Sequence, residues 1–321
     1  MKRLVFGTIL LLLMVSCSTE PSLPKIPLSK SVIASLNIYD QSITFIDGDT
    51  KEKMIWEVPH PFKNGILLSN DKLLLLNKES AKGYVYQLST GKSKEWEIGE
   101  GIETGLLSSE KILYLADQQT NKIKMFNLDG NLLKETTVEH TPFAIFEDQH
   151  HLYVSYLDHP GIAILSIDQL EMEGTIPSHD GAAGGFITEN QELWLGGHGS
   201  GVHIQENIYI YDLKNKQLTA TVHAPLMPID FITKDGKVYV LSHGSNILRE
   251  IDSTSHQILR SVEVGANPFS MTLYNNHLYI SNYDANEVEI IDLHRFKQIE
   301  TIPVGDGPLQ LIAREGTANA K

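Results

Sequence analysis

The chain has 321 residues, with 40 acidic against 26 basic side chains and a net charge of −14 at pH 7. A body this acidic repels nucleic acid and anionic lipid, which excludes nucleic acid as a partner unless a local basic patch exists, and none is visible in the sequence. A single cysteine excludes disulfides, so a chain that is 41% hydrophobic has to hold its fold by apolar packing alone.

Residues 1–16 read as a signal peptide. Lys2 and Arg3 form the positive start, residues 4–15 are apolar, and small Ser16 precedes Cys17. The apolar run is too short for a comfortable membrane span. Leu13-Met14-Val15-Ser16-Cys17 resembles a bacterial lipobox, with Met14 where leucine is usual. The resemblance implies that Cys17 is lipidated, becomes the first mature residue and ties the protein to the membrane from the extracytoplasmic side. Residues 17–30 carry Pro21, Pro24 and Pro27 among Ser, Thr and Lys, which predicts an extended tether rather than a folded element.

From residue 31 to 313 the pattern is periodic. Short runs of β-branched and aromatic residues alternate with turn formers such as Asn275-Asn276. Aligned on the first apolar residue of the second run in each unit, the markers are Val32, Leu73, Leu113, Leu152, Leu193, Val238 and Leu278. They recur every 39 to 41 residues, with one interval of 45. A polar residue near the end of the third run keeps the same beat: Asp47, Gln87, Asn127, Asp168, Asp212, Asp252 and Asp292. Pro142, Pro228 and Pro268 each stand ten residues before their markers, where a first strand begins and proline costs no ladder bond. The reading is an all-β, seven-bladed β-propeller with four antiparallel strands per blade. The first unit lacks its opening strand, and residues 307–312 repeat that strand at the other end. The first blade is therefore expected to be closed by a C-terminal strand, which leaves no open edge. Residues 314–321 are expected to form a disordered tail.

Leu278-Tyr279-Ile280-Ser281-Asn282, followed by Glu289-Ile290-Ile291-Asp292 and Ile302-Pro303-Val304-Gly305, resembles the YVTN-type β-propeller repeat. Leu152-Tyr153-Val154-Ser155 and Val238-Tyr239-Val240-Leu241 are further copies. The resemblance implies a propeller of the cell envelope. It is specific for architecture and not for activity, since propellers host binding proteins, lactonases, redox enzymes and scaffolds.

No G-x-S-x-G, H-E-x-x-H, Walker loop, CxxC or EF-hand pattern occurs. The 13 histidines are the uneven feature. Those at 159, 198, 203 and 243 fall in loops between second and third strands. Those at 60, 140, 179 and 223 fall in or beside loops between blades, which share the same face. His198-Gly199-Ser200 and His243-Gly244-Ser245 each begin five residues after a marker, so both imidazoles are expected at the channel mouth on neighbouring blades. An insertion over residues 199–205 adds His203. The candidate ligand-binding set is His198, His243, His203, His179 and Asp158. Two imidazoles with a third His, or with Asp158, Asp180 or Asp284, suit Zn²⁺ or Cu²⁺. The same ring suits an anionic or carbohydrate ligand, and the repeated HGS is also explained as an inherited turn. Trp194 reads as inter-blade core, Trp56 and Trp96 as cover for the flank, and His150-His151 as turn residues of the opposite face.

The functional expectation is a surface-anchored lipoprotein whose propeller binds a small ligand or an envelope protein without turning it over. The alternative is a metal-dependent extracytoplasmic enzyme of lactonase or oxidoreductase type, acting at the channel mouth with Asp158, Asp284 and Asn282.

Overall fold

The computed structural model describes residues 22–317. Cys17 and the signal-like segment lie outside the described residues. Seven four-stranded antiparallel sheets follow one another around a central channel, with one extra two-stranded hairpin in the fifth. No helix interrupts them. The first sheet is composite: its outer strands Lys53–Glu57, Ser42–Asp47 and Val32–Asn37 come from the N-terminal part, and Pro308–Arg314 supplies the innermost strand. The seven-bladed ring closed by a C-terminal strand is thus as the periodicity predicts.

Burial explains the sequence pattern strand by strand. The second strand of a blade has a strand on either side and a blade against either face. It therefore reads as a continuous apolar run, as in Leu73, Leu74, Leu75 and Leu76, all buried. The outer strand is covered on one side only and is mostly exposed; Lys297–Pro303 buries Ile302 and exposes the rest. Trp194 is fully buried between blades 5 and 6, against Phe186 and Val240.

The register corrects two of the alignment markers. Val32 lies opposite Asp47, whereas Leu278 lies opposite Ile291 and His277 opposite Asp292. Ile33 is therefore the equivalent of Leu278, one residue later than Val32. In blade 4, His151 faces Ser166, so Ser166 and not Asp168 is the counterpart of Asp292. An apolar residue on each side of the true marker conceals such slips of one or two residues.

Hydrogen bonds from the innermost strands lock blade to blade around the channel. The Met271 N–H donates to Asp230 at 2.6 Å, and the Leu311 N–H to Ser270 at 3.2 Å. Gln310 accepts from the Gly65 N–H at 2.8 Å and donates to its carbonyl at 3.0 Å. Asp230, Ser270 and Gln310 each stand two residues after a blade-opening proline. The equivalent in blade 5 is Gly184, where any Cβ would collide with the Ile229 carbonyl; glycine lets the two backbones touch instead.

The two ends of the described chain depart from the sequence expectation. Residues 23–30 are not a free tether but a strap laid across the lower rim of blades 1 and 2. The Leu23 N–H donates to the Gly91 carbonyl and the Ile26 N–H to that of Leu88. Ile26 is buried among Trp56, Tyr86 and Leu88, and Trp56 Nε1–H donates to Pro24 O at 2.8 Å. Proline-rich composition hid this because the strap is fastened by its few apolar side chains and by bonds to rim turns, not by a ladder of its own. Trp56 is accordingly core rather than flank cover, and so is Trp96, buried between blades 2 and 3 among Leu74, Ile98 and Phe126. At the other end, Arg314 is no tail residue: it ends the closing strand, is 2% exposed, and donates through Nη2 to the carbonyls of Pro27 and Lys30. Gly316 and Thr317 donate from their backbone N–H groups to Ser31 and Leu28. Only residues 318–321 remain of the predicted tail, and they lie outside the described residues.

Candidate functional site

Antiparallel strands put the second-to-third turns and the inter-blade loops on one rim, here called upper. At the third-strand position three residues before the conserved beat, a side chain fastens the inter-blade loop above it. Thr44 in blade 1 accepts from the Gly305 N–H, and Glu289 in blade 7 from the Gly265 N–H. Lys124 in blade 3 donates to Ile98 O, and Arg249 in blade 6 to Pro225 O. In blades 2 and 5 the fastener is a tyrosine, and its loop answers with a histidine. His60 stacks on Tyr84 at 3.7 Å, and His179 packs on Tyr209 at 4.5 Å.

This assigns His179 a structural task. Both of its ring nitrogens are buried without a hydrogen bond of good geometry. Burial is the main cause that pushes its pKa down to about 4. A neutral ring under a tyrosine face is stable there; an imidazolium is not.

His198 and His243 do come together. Their ring centroids are 5.5 Å apart and nearly perpendicular, an edge-to-face pair across the seam of blades 5 and 6. Each directly follows a second strand, Glu192–Gly197 and Lys237–Ser242. Both pKa values are lowered, mainly by burial; for His198 the neighbouring His243 adds to the effect. Both rings are thus neutral at pH 7. His243 Nδ1 lies 3.3 Å from Pro268 O, so it carries the proton and leaves Nε2 as an acceptor.

Three further rings continue the pair. Phe269, next to the blade-opening Pro268, is 4.3 Å from His243 and 5.1 Å from Tyr283. Tyr283 is 5.3 Å from Tyr39, which is 71% exposed in the upper turn of blade 1. The result is an arc of five rings over blades 5, 6, 7 and 1. The sequence carried the signal for Tyr283, which stands five residues after Leu278 as the histidines do after Leu193 and Val238. Phe269 and Tyr39 stand at other offsets and had no such mark, and Tyr39 reaches Tyr283 only because the ring closes.

The remaining predicted residues are elsewhere. The insertion forms the hairpin Gly199–Ser200 with His203–Ile204, and exposed His203 lines a cleft of about 300 Å³ together with His179, Asp180, Ser200 and Tyr209, so two of the predicted residues meet there. Asp158 is exposed in blade 4, where it accepts from the Thr141 N–H at 3.0 Å. Nearby, His140 and His159 stack face to face at 3.8 Å. Asp284 accepts from Asn267, and Asn282 is buried and donates to Glu289. Among the described residues no three His, Cys, Asp or Glu side chains stand together as a metal-binding group. The arc can therefore offer stacking faces and one or two neutral imidazole nitrogens.

No family model matches the chain, and no functionally curated protein matches it in sequence. Solved structures match in shape. A functionally unknown protein from Desulfotomaculum acetoxidans DSM 771 superposes with a TM-score of 0.74 at 10% identity, over 89% of this chain and 99% of the other. Apo AztD from Citrobacter koseri gives 0.61 at 12% identity, over 90% and 99%. The dihydro-heme d1 dehydrogenase NirN, solved in complex with DHE, gives 0.63 at 11% identity, over 92% and 78%. At such identities the likeness shows the propeller fold alone.

The buried imidazole of His179 sets a pH dependence whose sign can be stated. Between its unfolded value of 6.5 and about 4, the unfolded chain holds a proton on this residue that the folded one does not, so stability falls as pH falls through that window. Asp230 works the other way. Desolvation raises it from 3.8 to about 6, so the folded state holds the extra proton, and this group's contribution improves as pH falls from 6 to 4. Urea titrations from pH 7 to 4 are expected to show a shallower acid loss in His179→Phe than in wild type, and a steeper one in Asp230→Asn. Equal slopes in all three proteins would contradict both assignments.

Proposed function

We propose that the chain is an extracytoplasmic lipoprotein of the YVTN-repeat type. It is held to the membrane through Cys17, and its propeller binds a ligand or envelope partner at the upper rim of blades 5 to 1 without transforming it. The observation that supports this most is the ring arc His198–His243–Phe269–Tyr283–Tyr39. Five ring side chains with neutral imidazoles form a surface suited to stacking on a sugar, a planar organic group or an aromatic side chain. A closed ring of fastened loops holds that surface in place before the ligand arrives, which lowers the ordering cost of binding.

The binding half is tested by His243→Ala and Tyr283→Ala, measured against glycan panels and pull-downs from envelope extracts. Each variant is expected to weaken the same interaction by about tenfold or more, consistent with loss of a stacking contact of 1–2 kcal/mol. Thermal stability should change little, since neither residue is fully buried. The double variant should lose less than the sum, because the two rings share Phe269. Retention of every partner by the double variant would reduce the arc to loop packing. The anchoring half is tested by the intact mass of the protein extracted from membranes. A chain beginning at Cys17 with added acyl mass is expected; an N-terminus without lipid would refute the anchor.

A further inference from the structure

Part of the lower rim is basic, which the sequence did not reveal. Lys72 opens the second strand of blade 2, and Lys92 opens its outer strand. Both pair with Gln87, so the three form one row across the sheet. Lys94, opposite Val85, stands one row further up the same face. Between this face and the turn of blade 3 that holds Asp129 lies an open cleft of about 240 Å³, with Trp96 in its wall. Trp96 is itself fixed, because Gly130 brings bare backbone against its ring. Lys72, Lys92 and Lys94 are exposed and take part in no salt bridge among the described residues. Asp129 is the one carboxylate at the cleft. Three unpaired ammonium groups on a chain of charge −14 are a local exception to its field.

The place of this cleft gives it a partner. The strap enters at Leu23, bonded to Gly91, the residue immediately before Lys92. Only residues 18–22 separate Leu23 from Cys17, and six Cα steps span at most about 20 Å. We infer that the lysine cleft of blades 2 and 3 seats anionic phospholipid headgroups. The propeller then stands on its lower rim, with the ring arc turned away from the membrane. This rests on the reading of Cys17 as lipidated. The acidic remainder of the body reinforces the pose, since an anionic surface repels it while attracting the cleft.

The test uses protein purified from membranes with its own N-terminus and seated in vesicles of phosphatidylcholine, with or without about a third phosphatidylglycerol. A lipidated Cys17 leaves a newly introduced cysteine as the only thiol. A fluorophore on Asn131→Cys reports the lower rim of blade 3, and one on Thr120→Cys its upper rim. Energy transfer to a headgroup dye should be several-fold stronger from the lower probe, and phosphatidylglycerol should increase that contrast. In Lys72→Gln/Lys92→Gln/Lys94→Gln the increment should vanish, and high salt should abolish it in wild type. Equal transfer from both probes, no response to phosphatidylglycerol, or an unchanged triple variant would overturn the inference. If the purified protein carries no acyl mass, the anchor reading fails by itself. Cosedimentation of that same protein with phosphatidylglycerol vesicles then decides the cleft. Salt-sensitive binding that falls on the order of a hundredfold in the triple variant would support it, and no binding would overturn it.

Discussion

Removal of residues 308–321 is expected to abolish the cooperative fold rather than trim it. The strand Pro308–Arg314 pairs along the whole of Val32–Asn37. It also bonds sideways to both neighbouring blades, through Leu311 to Ser270 and through Gln310 to Gly65. Leu311 is buried against blade 7, and Leu309 and Ile312 pack against the cluster of blades 1 and 2. Each such side chain contributes roughly 1.5–3 kcal/mol by burial when fully enclosed. Leu311 gives that range and the half-buried Leu309 and Ile312 a part of it; with the lost ladder and the lost bonds to both neighbouring blades, the loss is a large share of a domain's whole stability, about 5–15 kcal/mol. The truncation also bares the edge of Val32–Asn37, a template for aggregation. Deleting residues 318–321 should leave the melting temperature unchanged. Deleting 316–321 should lower stability by about 1–2 kcal/mol, because it removes the hydrogen bonds of Gly316 and Thr317 to the strap. Calorimetry on the three truncations orders them. If the longest deletion melts cooperatively near wild type, the closing strand does not close the ring.

Trp56→Ala is expected to cost about 3–5 kcal/mol, the range for an aromatic side chain deleted from a core. Trp56 is 0% exposed and lies edge-on to Phe45 at 4.8 Å. Its indole N–H is satisfied by Pro24, so the residue is both a piece of core and the fastening of the strap. Trp56→Phe separates the two tasks. It keeps most of the packing but leaves the Pro24 carbonyl without its donor, so a loss of about 1–2 kcal/mol is expected. In this variant, hydrogen exchange or limited proteolysis should show residues 23–30 loosened while the blades stay protected. A Trp56→Phe protein whose strap is as protected as in wild type would show that Ile26 and the rim bonds suffice to hold it.

The sequence by itself determined the blade count and the closing strand. A propeller blade is a local object: its four strands are consecutive, each strand's burial depends on its rank in the sheet, and the pattern repeats about every 40 residues. Sequence spacing also put His198 and His243 on neighbouring blades, since equal offsets in a repeat become adjacent positions in a ring. Four things needed the tertiary structure, each because it joins residues far apart in the chain. Tyr39 reaches Tyr283 only because the first blade closes against the seventh. His179 meets Tyr209, thirty residues away, and shares one cleft with His203 only because blade 5 folds its inter-blade loop over its own third strand. The strap folds because Trp56 and Leu88 offer it a groove, which no propensity of its proline-rich residues foretells. Lys72 joins Lys92 and Lys94 because two hairpins bring them into one face, so a chain without a basic run still has a basic cleft. Periodic hydrophobicity encodes the repeat, whereas the contents of seams, rims and termini are set by whichever side chains the closed ring happens to bring into contact.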